Sequence, residues 1–270
     1  MFYPVEIDMP EPSKVKQAIV VLNPAESKRL LAKTVAGLPE VQDAYKNGRL
    51  SVSTCSTSAF VIEELTGEKL VPHCYCIGMV ADGMLTTSVK EDREAVRFYV
   101  KGERVTMDAL PFYDTFDTGD VVIKGGNAVD PLGDAGVLAS NSQGGTVGAL
   151  ISFVMVRGLP VIMPIGLEKL IPSVSEACAG WGQRTLLKSM GEKVWLVPVI
   201  GSLVITEIQA LGILAGVDSR LVASGGIGGS EGAVVLLLEG SEKNVEKAFA
   251  IVESVKGEAP IPVPRHQFSC

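Results

Sequence analysis

Short apolar runs alternate with amphipathic stretches along most of this chain. The apolar runs are rich in β-branched residues and predict strands, or an extended lead-in for the first, at 17–22, 49–54, 121–124, 159–165 and 194–199. The stretches between them predict helices at 24–37, 41–47, 59–65 and 144–156. Because buried strands that alternate with helices are typical of covered parallel sheets, the pattern predicts an α/β fold with a mostly parallel sheet and flanking helices.

The hydrophobic pattern changes after residue 200. A helix is predicted at 202–214, two strands at 220–224 and 233–239, and a long helix at 241–256 that Ser241 caps. This α-β-β-α order predicts a smaller C-terminal α+β lobe. The glycine-rich run between its strands leads into a strand, so a hairpin tip is favoured over a nucleotide-binding loop. The predicted division is an extended arm at 1–12, a core at 13–200, the lobe at 201–257 and a proline-rich tail at 258–270.

Composition and charge exclude several functional classes. The chain has 270 residues, of which 47% are hydrophobic and 20% charged, and its net charge is −7. A well-buried globular core fits these values, and no cluster of Lys and Arg offers a nucleic acid surface. The most apolar region, 147–172, is interrupted by Arg157, Pro160, Glu168 and Lys169, so no membrane-spanning helix is predicted.

The cysteines and histidines predict neither disulfides nor a metal site. Five cysteines at irregular spacings indicate reduced thiols in a cytoplasmic protein. His73, Cys74 and Cys76 are close together but lack ordinary ligand spacing, so Cys74 and Cys76 are interpreted as structural cysteines in an apolar strand. The other histidine, His266, lies in the tail. We expect no metal and no cofactor.

A first polar cluster stands where the 49–54 strand is predicted to end. The sequence runs Thr54, Cys55, Ser56, Thr57, Ser58 and then enters a predicted helix. Hydroxyls and backbone N–H groups at such a position can bind a phosphate or carboxylate, although Ser and Thr also cap helices without any ligand. These five residues are candidate ligand-binding residues. Cys55 is also a possible nucleophile, with no histidine assigned to it.

A second polar cluster follows the 121–124 strand. Lys124, Gly125 and Gly126 are candidate ligand-binding residues, because glycines permit close backbone approach and a lysine can face an anion. Asn127 and Asp130 could hydrogen-bond a sugar or could simply stabilise a turn. A further polar set precedes the next predicted helix and adds three candidate ligand-binding residues: Asp134, Asn141 and Gln143.

These segments resemble known signature motifs. Residues 52–62 resemble the phosphate loop and following helix of ribose-phosphate isomerase, and 120–130 resemble that family's second signature, in which a strand runs into Gly-Ala-Asp-Glu-Val-Asp. Residues 133–146 and 158–161 resemble the corresponding region of initiation-factor-2B-like proteins. The resemblance covers roughly residues 25–200. It implies the fold shared by glucosamine-phosphate deaminase, ribose-phosphate isomerase and the CoA transferases.

The departures from the isomerase pattern alter the expected chemistry. Asn127 and Ala128 stand where that family has its proton-transferring Asp and Glu, and Asp130 alone matches. An amide and a methyl group cannot take a proton at neutral pH, so standard aldose–ketose isomerisation is not expected. The resemblance implies Asp130 as the acid/base candidate and Asn127 as an orienting group. Glu168 is the nearest candidate for a CoA-transferase nucleophile.

The sequence therefore predicts a pocket between the two polar clusters that binds a phosphorylated or carboxylated metabolite. The protein would be an enzyme or binding protein of sugar-phosphate-isomerase-like type, with its reaction unassigned. The alternative is a non-catalytic regulatory or assembly subunit, as some initiation-factor-2B-like proteins are. The expected partners are a small anionic ligand and further copies of the chain, because the apolar composition could supply an oligomer interface.

Overall fold

A computed structural model describes residues 1–263. Its eight helices are α1 Pro24–Gly37, α2 Pro39–Asn47, α3 Ser56–Thr66, α4 Ala109–Asp114, α5 Gly145–Phe153, α6 Val174–Cys178, α7 Glu207–Ala215 and α8 Glu242–Val255. The strands are β1 Lys16–Leu22, β2 Arg49–Val52, β3 Gly78–Ala81, β4 Met84–Thr87, β5 Arg97–Val100, β6 Glu103–Val105, β7 Val121–Ile123, β8 Ala128–Val129, β9 Ala135–Ala139, β10 Val161–Pro164, β11 Trp195–Val199, β12 Leu203–Ile205, β13 Asp218–Ser224 and β14 Val234–Gly240. The predicted tail falls partly outside this range, as do His266 and Cys270.

The largest sheet confirms a mixed α/β fold. Its six strands lie in the order β12-β10-β7-β2-β5-β6. The first four are mutually parallel, and β5 and β6 extend the sheet as an antiparallel hairpin. That hairpin turns at Lys101 and Gly102, both with positive φ. The sheet is therefore mostly parallel, as predicted from the apolar runs.

Both faces of this sheet are covered, because alternate residues of each strand enter different cores. On one face Val52 and Ile123 pack with apolar residues of α1, α2, α3 and α7. On the other face Val122 and Met163 pack with α4 and α5. This explains why the strands appear in the sequence as continuous apolar runs with no polar alternation.

A smaller antiparallel sheet, β11-β9-β8, shows where the sequence prediction was incomplete. The 194–199 run does form a strand, β11, but β11 pairs antiparallel with β9 and lies outside the parallel sheet. Strands β8 and β9 were not predicted, because their small residues (Ala128, Ala135 and Gly136 among them) resemble a loop. A Cβ at Gly136 would lie 2.8 Å from Leu196 Cδ1, so close packing against β11 selects glycine there.

The third sheet, β1-β14-β13, joins the two ends of the described chain. β1 pairs antiparallel with β14 over seven residues, so the 17–22 run lies beside the C-terminal strands and not in the main sheet. β12, which falls in a predicted helix, is instead the edge strand of the main sheet. The polypeptide from Met1 to Tyr3 extends this edge, where Tyr3 N–H donates to Val204 O.

β3 and β4 pair as a separate two-stranded antiparallel sheet. Cys74 lies in a turn and Cys76 in the segment before β3, so the interpretation of both as residues of an apolar strand is wrong. Within residues 1–263 no helix has the length and apolarity needed to span a bilayer.

Candidate ligand-binding site

The two polar clusters predicted from the sequence meet at one edge of the main sheet. β2 and β7 are neighbouring parallel strands, with Ser51 opposite Val122 and Val52 opposite Ile123. Their carboxyl ends therefore point the same way, and the segments that follow them lie side by side. A side chain at Gly125 would overlap the sulfur of Cys55. Glycine at this position is what allows the two segments to approach so closely.

A cavity of about 700 Å³ opens beside these segments. Such a volume lies within the range of ordinary ligand pockets, about 300–1,000 Å³. Its walls comprise the segments that follow β2, β7 and β10, the starts of α3 and α5, and parts of α1, the β3-β4 hairpin and β9. Side chains in the lining that could contact a polar ligand include Lys28, Thr54, Cys55, Ser56, Cys76, Lys124, Asn127, Asn141, Thr146, Glu168 and Lys169.

The first cluster divides between the cavity and the interior of the protein. Thr54, Cys55 and Ser56 line the cavity, whereas Thr57 and Ser58 are buried within the first turn of α3. Cys55 is the N-cap of α3: Ser58 N–H donates to Cys55 Sγ at 3.2 Å. The start of α3 thus faces the cavity, and its partial positive charge favours an anion there.

Lys124 is the most unusual residue of the lining. It directly follows β7, and only 5% of its surface is exposed. Its backbone N–H donates to Ile162 O, which fixes the main chain against β10. Within residues 1–263, its ammonium group has no hydrogen bond and no ion pair. Burial lowers the pKa of Lys124 below 10.5, and the neighbouring Cys55 and Cys76 sulfurs oppose that shift.

Cys76 faces the same part of the cavity from the segment before β3. Burial raises the pKa of its thiol to about 11, with a further contribution from Cys55, while the backbone N–H of Ser56 opposes the rise. The thiol is therefore protonated at neutral pH. It donates to Gly78 O at 3.2 Å and supplies no negative charge beside Lys124.

Gly126 and Asn127 form the wall next to Lys124. A Cβ at Gly126 would lie 2.5 Å from Ile165 Cδ1, so any larger residue there would displace the Ile165 side chain. Asn127 lines the cavity, and its Oδ1 accepts a hydrogen bond from Leu138 N–H at 3.0 Å. The side-chain amide is thereby oriented by β9. Its N–H₂ group remains the part that a ligand could contact.

Asp130, the predicted acid/base residue, lies outside the cavity lining. Its carboxylate is 2% exposed and accepts three backbone N–H groups, from Leu132, Asp134 and Val174 at 3.0 Å each. These bonds fix the turn between β8 and β9 and attach the start of α6 to it. Every one of its contacts is structural, so the geometry gives Asp130 no reacting atom to serve.

The three candidate residues that follow Asp130 in the chain differ in whether they line the cavity. Asp134 belongs to that same turn, where its backbone pairs with Asp130, and it does not line the cavity. Asn141 does line it, with Oδ1 accepting from Gln143 N–H and Gly145 N–H in the turn before α5. Gln143 is exposed and lies outside the lining. Only Asn141 of the three is placed to meet a ligand.

Several polar residues of the lining were not among the candidate ligand-binding residues, including Lys28, Cys76 and Lys169, and Glu168 was considered only as a possible CoA-transferase nucleophile. Lys28 donates to Glu168 at 2.9 Å, and burial and the charge of Lys169 lower its pKa while Glu168 opposes the change. Glu168 and Lys169 follow β10, the parallel neighbour of β7. Their place after a parallel strand was a signal available in the sequence. Nothing local distinguishes Lys28 or Cys76.

No group of three or more His, Cys, Asp and Glu side chains that could hold a metal ion occurs within residues 1–263. Comparisons with protein-family models, curated proteins and solved structures found no significant match. The shape and chemistry of the cavity are therefore the main guide to function.

Proposed function

We propose that this chain binds a small anionic metabolite in the cavity between the Thr54–Ser56 segment and the Lys124–Asn127 segment, as an enzyme or binding protein. The observation that carries the proposal is the charge of the lining. It contains three lysines (Lys28, Lys124 and Lys169) but one carboxylate, Glu168, in a protein whose net charge is −7. A positive pocket on an acidic protein favours a negatively charged ligand over a neutral one.

The neutral groups of the lining suit the same ligand. Thr54 and Ser56 supply hydroxyls next to the start of α3, where helix N–H groups favour a phosphate or carboxylate. Asn127 and Asn141, which precede and follow β9 in the chain, could hydrogen-bond hydroxyl groups of the ligand. The anionic group of a phosphorylated or carboxylated polyol would bind the hydroxyls and the start of α3, and its own hydroxyls would bind the two asparagines. This agrees with the kinship to sugar-phosphate isomerases and CoA transferases, which we also propose.

Isothermal titration calorimetry with inorganic phosphate, sugar phosphates, nucleotides and acyl-CoA tests the proposal. We expect at least one anion to bind with a stoichiometry of one per chain. Lys169→Gln should weaken that binding about tenfold, roughly the 1.4 kcal/mol of one lost charge-assisted contact. Lys243→Gln is the matched control, since Lys243 is exposed on α8, which contributes nothing to the lining. Equal affinity in wild type and Lys169→Gln would contradict the proposal.

One observation favours the alternative, a subunit without catalytic activity that assembles with other copies. The outer face of the β1-β14-β13 sheet exposes Ile19 (60%) and Val21 (42%), and opposite them stand Leu237 and Val235. Exposed apolar side chains in a row on one sheet often mark an interface. We propose that a second copy covers this face, and that the sheet with α8 forms the smaller lobe of a cytoplasmic homo-oligomer.

Analytical ultracentrifugation of wild type and of Ile19→Asp tests that assembly. The substitution should convert an oligomer to monomers, because it places a charge in the proposed interface, and anion binding should be unaffected. Glu242→Lys on the exposed start of α8 controls for the change in surface charge. A wild type that sediments as a monomer contradicts the assembly but leaves the cavity proposal intact.

A further inference from the structure

The position of Lys124 calls for an explanation that binding of an anion does not supply. A lysine required only for its charge would be more effective with a carboxylate or carbonyl partner that keeps it ionised. Lys28 follows that pattern, with Glu168 at 2.9 Å. Lys124 lies deeper, 5% exposed, and within residues 1–263 its ammonium group makes no hydrogen bond.

We propose that Lys124 is a nucleophilic amine that forms an imine with the carbonyl carbon of an anionic aldehyde or ketone bound in the cavity. The proposal rests on the anion-binding function above and specifies its substrate class. The amine nitrogen attacks the carbonyl carbon, a C–N bond forms, and the carbonyl oxygen leaves as water. That water takes one proton from the nitrogen after addition and one from the medium or a cavity hydroxyl. The product is an iminium, and its formation needs no oxidant or reductant.

The surroundings of Lys124 favour the free amine that this step requires. Burial lowers its pKa, because the charged form loses its hydration. The nearest groups that could restore the charge are Cys55 and Cys76. Because the Cys76 pKa is about 11, that thiol is neutral at physiological pH and offers no compensating charge. The Cys55 thiol donates a hydrogen bond to Ser58 Oγ at 3.1 Å and not to Lys124. A larger fraction of Lys124 is therefore uncharged at neutral pH than of an exposed lysine.

The cavity also places suitable groups around a carbonyl at this position. The hydroxyls of Thr54 and Ser56 can donate to the carbonyl oxygen and assist its departure as water. Lys28 and Lys169 lie in the lining on the α1 and β10 side, where they can hold the negative group of the same molecule. The ligand would thus be fixed at both ends. A neutral carbonyl compound would lack the second attachment.

Reductive trapping tests the proposal. The full chain is incubated at neutral pH with glycolaldehyde phosphate and sodium cyanoborohydride, and modified lysines are located by peptide mass spectrometry. We expect Lys124 to be modified at least tenfold faster than any other lysine, and at least tenfold faster than with uncharged glycolaldehyde. Lys124→Gln should lose the rapid phase, and inorganic phosphate should slow it in the wild type by competition.

The outcomes separate this proposal from the one on which it rests. Phosphate binding without preferential modification of Lys124 overturns the imine and keeps the anion site. Modification concentrated on Lys28 or Lys169 overturns it as well, since the nucleophile is then a different residue. Absence of both binding and modification overturns both proposals.

Competitive acetylation provides a measurement that needs no knowledge of the natural ligand. Trace acetic anhydride is reacted with the folded protein across a pH series, and the acetylation of each lysine is compared with that of unfolded chain. We expect the Lys124 profile to inflect clearly below the 10.5 of an ordinary lysine. Lys243, which is exposed on α8, serves as the internal control. A Lys124 inflection at the ordinary value overturns the proposal.

Discussion

Lys124 and Asp130 stand at the two ends of one short segment that includes β8, and both are buried and were predicted from the sequence to serve a ligand. The fold treats them in opposite ways. The Asp130 carboxylate accepts three backbone N–H groups. The Lys124 ammonium, within residues 1–263, has no such partner and faces the cavity. A buried charge whose hydrogen bonds are satisfied maintains structure, whereas one left unsatisfied at a cavity wall is available to a ligand.

The local sequence explains this difference. Asp130 begins a tight turn in which Gly133 N–H donates to Asp130 O and Gly133 has φ +76°. The short aspartate side chain reaches the N–H groups of its own turn, as in an Asx turn. Lys124 has no turn of its own to stabilise, because Gly125 and Gly126 continue the chain past Cys55 and Ile165. Its long side chain can only extend into the cavity.

The largest effect should follow from Asp130→Ala. Removing the carboxylate leaves three backbone N–H groups without acceptors in a site that is 2% exposed. At about 1–3 kcal/mol for each unsatisfied donor, we expect the free energy of unfolding to fall by about 3 kcal/mol or more. Urea denaturation measured by circular dichroism checks this value.

Asp130→Asn is the matched control for that prediction. The amide keeps one oxygen, which can still accept from Leu132 and Asp134, so the loss should be smaller than for alanine. Each of the two Asp130 variants should bind anions as the wild type does, provided that it remains folded. Normal stability combined with lost binding would show that the sequence-based assignment of Asp130 to the site was right and the structural role wrong.

Lys124→Met should have the opposite effect on stability. Methionine has a similar length and no charge to desolvate, so the free energy of unfolding should rise by about 1–3 kcal/mol near neutral pH. Imine trapping should be lost, whereas Lys28 and Lys169 should still bind the anion, with an affinity lowered at most about tenfold. Lower stability would mean that the Lys124 ammonium makes a favourable interaction that compensates for its burial. Lys28→Met offers a contrast, because it breaks an ion pair with Glu168 and should destabilise.

We also expect the difference in stability between the wild type and Lys124→Met to depend on pH. Because the folded pKa of Lys124 is lower than its unfolded value, the unfolded chain binds more protons in the window between the two. The wild type should therefore gain stability relative to Lys124→Met as the pH rises from the folded pKa toward 10.5. Shifts shared by both proteins, such as that of Lys28, cancel in the difference. A constant difference across this window would contradict a lowered pKa.

The main sheet could be predicted because its strands are buried on both faces. Apolar runs of β-branched residues indicated β2, β7 and β10, and the helix prediction at 24–37 coincides with α1. The small antiparallel sheets could not be predicted equally well. β8 and β9 are short and contain small residues, one of which, Gly136, lies close to Leu196. β1 pairs with β14, more than two hundred residues away. Local pattern contains no information on such distant pairing.

The site shows the same division between local and distant information. The sequence identified Thr54, Cys55, Ser56 and Lys124 because each follows a strand of a parallel sheet, and such strands end at one edge. It did not distinguish them from Asp130, since the partners of a polar group are visible only after folding. Lys28 reaches the cavity from α1, and Cys76 from an irregular segment. Their contribution depends on tertiary packing alone.

The smallest predicted effect concerns Cys55, which has a structural role in α3 and also lines the cavity. Its sulfur caps α3 by accepting from Ser58 N–H, and it also lies in the lining beside Lys124. Cys55→Ala removes the cap and should lower stability by about 1 kcal/mol, whereas Cys55→Ser replaces one acceptor with another and should cost less. In thermal unfolding, the serine variant should therefore resemble the wild type. Because the serine also removes a sulfur whose interaction with Lys124 raises the Lys124 pKa, its acetylation profile should inflect lower than in the wild type. An unchanged inflection with normal stability would assign Cys55 to the helix alone, as Asp130 is assigned to its turn.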